Sequence, residues 1–198
     1  MLWLILSVVI WGVIHTILAS LGAKEWFKKM LNGNRGMSFY RFGYNMFSGL
    51  SFLPILWLLS ILPDKNLYRI SAPWIYLFLA GQGIAVLLLI VGILQTDVLS
   101  FVGLRQLVEG EEHPARLVTN GLYRYVRHPL YSAGLLFLWL APVMSVNSLI
   151  LYATLTAYII VGAFFEERKL SREFGQEYMD YRSVTPMLIP GLIFRRNK

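Results

Sequence analysis

Apolar residues along the chain fall into runs of about twenty, the length an α-helix needs to cross a hydrocarbon layer of about 30 Å. Five such runs stand out, at residues 1–21, 42–62, 73–95, 130–146 and 148–165. Apolarity this continuous, without the alternation of a half-buried strand, predicts transmembrane helices. The last two runs are short and meet near Asn147, so they read as a tight helical hairpin, followed by a polar cytoplasmic helix over 166–182. The first run has no basic leader and continues straight into Gly22-Ala23-Lys24, which reads as a span and not as a cleaved signal. No repeat, low-complexity tract or Gly/Ser linker divides the chain. The expected fold is all-α, a multi-pass membrane helix bundle of about five transmembrane helices forming one integral membrane domain over 1–198.

Composition agrees with that pattern and excludes a soluble domain. The chain is 57% hydrophobic and 15% charged, where soluble domains run at about 45–50% and about 25%. Of its 18 Lys and Arg, all but Lys65 and Arg69 fall in 22–41, in 96–129 or beyond residue 165. Five spans bring those three regions to one face, and the positive-inside rule makes that face cytoplasmic. The N-terminus is then outside and the C-terminus cytoplasmic, in the inner membrane if the source is bacterial. The net charge of +7 belongs to a surface that meets anionic headgroups of the lipid bilayer. No basic stripe is interleaved with stacking aromatics, so nucleic acid is not the expected partner. The absence of Cys removes disulfides, thiolate metal sites and Cys nucleophiles. Three histidines far apart, His15, His113 and His128, make no metal set.

Polar residues concentrate in two places on the cytoplasmic side. The first runs from Leu117 to Tyr131. Pro129 disfavours helix at His128, so Arg127 and His128 sit in extended or turning backbone where a transmembrane helix begins. Free backbone N–H groups, a positive helix end and a guanidinium would make an anion site there. On the alternative reading Arg124 and Arg127 anchor the helix at the headgroups and Tyr123, Tyr125 and Tyr131 form an aromatic belt. The second place is Glu166-Glu167-Arg168-Lys169, where the last span leaves the bilayer. Adjacent helical residues point about 100° apart, so Glu166 and Glu167 are not expected to share a partner. On one reading one of them faces the interior and a bound cation; on the other they form a solvated charged end paired by Arg168 and Lys169. A molecule cationic in one part and anionic in another would use both places, as S-adenosyl-L-methionine would.

Gly121-x-Tyr123-x-x-x-Arg127-His128-Pro129-x-Tyr131, then Glu166-Glu167, then Phe174-Gly175-x-x-Tyr178-x-x-Tyr181 resembles the signature of the isoprenylcysteine carboxyl methyltransferase and phospholipid methyltransferase superfamily. Thr96 to Gln106 and Pro186 to Pro190 are similar to its NnrU and methanethiol S-methyltransferase branch. The resemblance implies a methyltransferase using S-adenosyl-L-methionine in a cytoplasmic cofactor pocket. Its candidate donor-binding residues are Arg116, Leu117, Val118, Gly121, Tyr123, Arg127, His128, Pro129, Leu130, Tyr131 and Glu166, with Asp97 and Glu167 as candidates for the substrate. Where the isoprenylcysteine enzymes hold the substrate carboxylate with an Arg, this chain has Gly162. The resemblance therefore points to a small or lipophilic acceptor, a thiol before a prenylcysteine. Two alternatives go with it: an NnrU-like membrane protein without enzymatic activity, and an NADPH-dependent membrane reductase related to sterol reductases. Gly81-Gln82-Gly83 resembles a donor-binding Gly-x-Gly, but small residues that let helices pack closely would look the same.

Overall fold

The computed structural model describes residues 2–30, 34–96 and 116–192. Asp97, one of the two substrate candidates, lies outside the described residues. In chain order the elements are α1 (Leu2–Ala19), α2 (Leu21–Met30), α3 (Asn34–Leu50), α4 (Leu53–Ile61), β1 (Asn66–Arg69), α5 (Trp74–Gln95), a 3-10 turn (Gly121–Arg124), α6 (Pro129–Trp139), β2 (Val143–Ser145) and α7 (Val146–Val184). Among the described residues, four stretches are long and apolar enough to cross a membrane: Leu2–Ala19, Phe42–Ile61, Trp74–Gln95 and Val146–Val184. Their outward side chains are apolar and open, Trp3, Ile10, Leu77 and Leu87 among them, as lipid-facing helices require. The chain is an integral membrane protein.

The described residues fall into two compact units, one within Met1–Lys65 and Ser145–Thr154, the other within Asn66–Thr96, Ala115–Met144 and Leu155–Lys198. In the first, α1 buries Leu4, Val8 and Gly12, one stripe at i, i+4, i+8. The second predicted span is two helices, because α3 ends in a turn at Ser51–Phe52 and α4 restarts with Pro54 in its first turn. Trp11 Nε1 donates to Ser51 Oγ across this turn at 3.0 Å. Asn147 is buried within the first turn of α7. Its N–H donates to Asp64 Oδ1 at 3.0 Å and its amide to the Pro63 carbonyl at 3.1 Å.

The second unit departs from the predicted hairpin. Helix α6 stops at Trp139 because Pro142 bars helix at Ala141. Its eleven residues span about 16 Å, roughly half the hydrocarbon thickness. The chain continues extended into β2, which pairs with β1. The freed carbonyls find donors there: Ile70 N–H reaches Pro142 O at 2.8 Å and the Tyr68 hydroxyl Ala141 O at 3.1 Å. A connection of strand and buried Asn147 thus replaces the tight turn. Helix α6 packs along α5, where a Cβ on Gly81 would lie 2.6 Å from Leu140 Cδ1 and one on Gly92 2.8 Å from Leu130 Cδ2. The separate helix predicted over 166–182 is the continuation of α7 through Glu and Lys residues of good helix propensity. The apolar, membrane-crossing part of α7 ends at Phe165. The helix bends at Gly175, whose φ of 54° and ψ of −125° suit only glycine.

Candidate functional site

The site is built where α6 begins. Gly121 has φ +60°, and a Cβ there would fall 2.3 to 2.5 Å from the amide atoms of Gln95. Only glycine fits, and Gln95 Oε1 then accepts the Leu122 N–H at 2.8 Å. The last residue of α5 thereby fixes the 3-10 turn that carries Tyr123. From the other side the C-terminal segment closes on the same stretch. The Tyr181 hydroxyl donates to Tyr123 O at 2.5 Å. The N–H groups of Arg127 and His128 donate to Pro186 O at 2.9 Å and Met187 O at 3.1 Å. Ser132 Oγ donates to Leu188 O at 2.6 Å. The backbone donors expected to be free for an anion are therefore engaged by residues 186 and 187.

Arg127 is likewise turned inward. Its Nε donates to Glu167 Oε1 at 2.6 Å, Nη2 pairs with the same oxygen, and Nη1 donates to the carbonyls of Arg182, at 3.2 Å, and Thr185. Arg182 Nε stands 3.4 Å from the second Glu167 oxygen. Glu167 is buried. Burial alone would raise its carboxyl, but His128, Arg127 and Arg182 outweigh that and hold it below the usual carboxylate range. Neither the headgroup anchor nor the open anion site describes this arginine, whose guanidinium ties α6 to α7 and to the segment beyond the bend.

The two glutamates share a partner after all. His128 points Nδ1 at Glu166 Oε2, 3.6 Å away, and Nε2 at Glu167 Oε1, 3.5 Å away. The expectation that they could not allowed for the 100° between neighbouring residues, but not for a ring with a nitrogen on each side. The Tyr131 hydroxyl donates to Glu166 Oε2 at 2.7 Å, and its ring stacks on His128 with centroids 5.4 Å apart. Unlike Glu167, Glu166 keeps 42% of its side chain exposed. Burial, then the Glu166 charge, raise the Tyr123 phenol. Burial and the Glu167 charge push Tyr178 up to about 12, and burial with Tyr178 also raises Tyr181. All three are protonated at neutral pH.

Of the other predicted residues, Leu117 and Val118 are half-buried and Arg116 exposed in extended chain leading to the turn. Pro129 opens α6, buried, and Leu130 packs on Gly92. Gly81 serves helix packing against Leu140, while a Cβ on Gly83 would meet nothing within 4 Å. A Cβ on Gly162 would also meet open space. Gln95, Ser132, Arg182 and Thr185 were not singled out as site residues. Gln95 ends an apolar run and the others are ordinary polar residues, so only the fold shows what they hold.

A model of the phospholipid methyltransferase family matches residues 78–177, a stretch that includes both motifs. Methanethiol S-methyltransferases 2 and 1 of Bradyrhizobium diazoefficiens are each 32% identical over 94% of this chain, covering 72% and 65% of their own lengths. The chain thus spans about two thirds of the length of these relatives. Protein-S-isoprenylcysteine O-methyltransferase B of Arabidopsis thaliana is 33% identical over 89 residues, 42% of this chain and 43% of that one. No solved structure matches. Matched by that family across half its length and sharing a third of its residues with these enzymes over nearly all of it, the chain belongs to the phospholipid methyltransferase family and is a membrane methyltransferase.

Proposed function

We propose that the protein transfers the methyl group of S-adenosyl-L-methionine to a small or lipophilic thiol. The observation that carries the donor is the Glu166 carboxylate, half-exposed and held by the Tyr131 hydroxyl beside the stacked rings of Tyr131 and His128. A carboxylate next to aromatic faces suits a cationic ligand. The donor set fits a sulfonium and ammonium, and the bound donor supplies an electrophilic methyl on a good leaving group. Glu166, Tyr131 and His128 would take its cationic side, with Tyr123 and the apolar Leu117 and Val118 beside them. Arg127 is committed to Glu167, so the donor carboxylate would need another cation, for which the exposed Arg116 is the candidate the family resemblance supplies. Arg127 and Glu167 then act as positioning residues. The protein would act mainly by lining up nucleophile and methyl in a site shielded from water.

For the acceptor, support comes from the named activity of the relatives covering nearly the whole chain and from Gly162 in place of a carboxylate-holding Arg. A thiol is a few per cent thiolate at neutral pH and a strong nucleophile, so it needs less help from a base than a lipid amine would. The basic asymmetry supports a cytoplasmic face for the site and an outside N-terminus. The test offers purified protein methanethiol, a prenylcysteine and phosphatidylethanolamine with labelled donor. Label is expected in the thiol; transfer to either of the others with none to the thiol would reject this acceptor.

A further inference from the structure

His128 has surroundings that donor binding alone does not call for. Its ring is 6% exposed and stands between two carboxylate oxygens, at 3.6 Å from Nδ1 and 3.5 Å from Nε2. Neither approach is yet a hydrogen bond, and both would become one with a shift of a few tenths of an ångström. A neutral imidazole carries one N–H and one lone pair, so it turns a lone pair toward one of the two carboxylates; only the imidazolium donates to both. The two carboxylates are not equivalent. Glu167 is already offset by Arg127 and Arg182. Glu166 has, among the described residues, only the neutral Tyr131 hydroxyl and His128 itself. Tyr178, packed near Glu167, stays a neutral phenol at ordinary pH. The charge that lacks a counter-charge is Glu166, on the Nδ1 side.

We propose that His128 is the proton acceptor of the methyl transfer, and that Glu166 balances two positive charges in turn, the donor's before transfer and the imidazolium's after it. The inference rests on the donor reading above. The acceptor's sulfur forms a new bond to the methyl carbon as the bond from that carbon to the donor sulfur breaks, its electron pair remaining on the departing, now neutral, sulfur. The thiol proton passes along the Glu166 carboxylate to Nδ1 of His128. One positive charge arrives as sulfonium and one remains as imidazolium, so a cation stands against the protein-facing side of Glu166 before and after transfer. The exposed side of Glu166 returns the proton to water. It follows that a cationic donor and a protonated His128 compete for one carboxylate.

That competition is measurable without turnover. Calorimetric titration of S-adenosyl-L-methionine into the full-length protein, in buffers of different ionisation enthalpy over a series of pH values, should show protons released on donor binding, up to about one per donor, at the most acid pH at which the protein stays folded, and fewer as pH rises. His128→Gln should release none throughout. Donor binding with no release in the wild type, or with unchanged release in the variant, overturns this inference and leaves the donor reading standing; absence of donor binding removes both. The wild-type titration decides alone if the variant does not fold. Acceptor acidity gives a second readout. His128→Gln should lower kcat/KM for both kinds of acceptor through its donor contact, and for an alkanethiol by about 10²- to 10⁴-fold more than for an aryl thiol already ionised at the assay pH. Equal losses for both would mean that His128 takes no proton.

Discussion

Arg127 and Glu167 illustrate how a residue type can mislead and its surroundings correct. An arginine at a membrane boundary reads as a headgroup anchor, and a second glutamate at a helix end as a solvated charge or a substrate contact. Here the pair is nearly closed to solvent, at 9% and 4% side-chain exposure, and satisfied by carbonyls from residues 182 and 185. Removing Arg127 leaves the buried Glu167 with only Arg182, at 3.4 Å, and His128 beside it, which costs up to about 3–5 kcal/mol, whereas removing both charges costs much less. Arg127→Met should therefore lower unfolding stability in detergent micelles by about that amount, and Arg127→Met with Glu167→Gln should recover more than half of it. A headgroup anchor would show under about 1 kcal/mol for the single change and no recovery in the double. Glu166, one residue away, should behave otherwise, with little effect on stability and a clear one on donor binding.

At the scale of elements, the site depends on a clasp. The bend at Gly175 turns the end of α7 so that Tyr181, Thr185 and the 186–188 backbone reach the stretch from Tyr123 to Ser132. The ionic part of the clasp is Glu167, whose carboxyl is held below its ordinary value in the folded protein. A depressed carboxyl contributes stability above its unfolded pKa of about 4.3, lost as pH falls through the lower folded value. Hydrogen exchange at the Arg127 and His128 amides should accordingly be slow and indifferent to opening between pH 5 and 7, with protection falling below about pH 4. Protection that stays constant down to pH 3 would remove Glu167 from the clasp. The spans on α1 and α5 were legible in the sequence because uninterrupted apolarity has one meaning in a bilayer. Pro142 was equally visible, but a hydropathy run averages over it, and the strand that replaces the helix depends on β1, more than seventy residues earlier. The motif residues His128, Tyr131 and Glu166 were legible as types. Their convergence through Arg127, and the part played by Gln95 and Thr185, are products of packing that no local pattern encodes.

For the whole molecule, the described spans and the charge pattern make one statement together. Lys65 precedes β1 and Arg69 ends it, while residues 22–41, 96–129 and those beyond 165 carry the basic excess. Reporter fusions after Lys65 and after Arg195 should fall on opposite sides of the membrane, and the same side for both would contradict the orientation that opens the site to the cytoplasm. A charged, aromatic-lined site beside apolar helices within the second unit suits a water-soluble cationic donor and an acceptor drawn from the membrane or small enough to cross it. The most direct measurement is calorimetric binding of S-adenosyl-L-methionine to the purified protein and to Glu166→Gln, with reduced nicotinamide phosphate titrated in parallel. The wild type should bind S-adenosyl-L-methionine saturably, the variant at least about tenfold more weakly through loss of a charge-assisted contact, and the nicotinamide should give no heat. Equal affinity of both proteins for the donor, or binding of the nicotinamide in its place, would contradict the site proposed at Tyr131, His128 and Glu166.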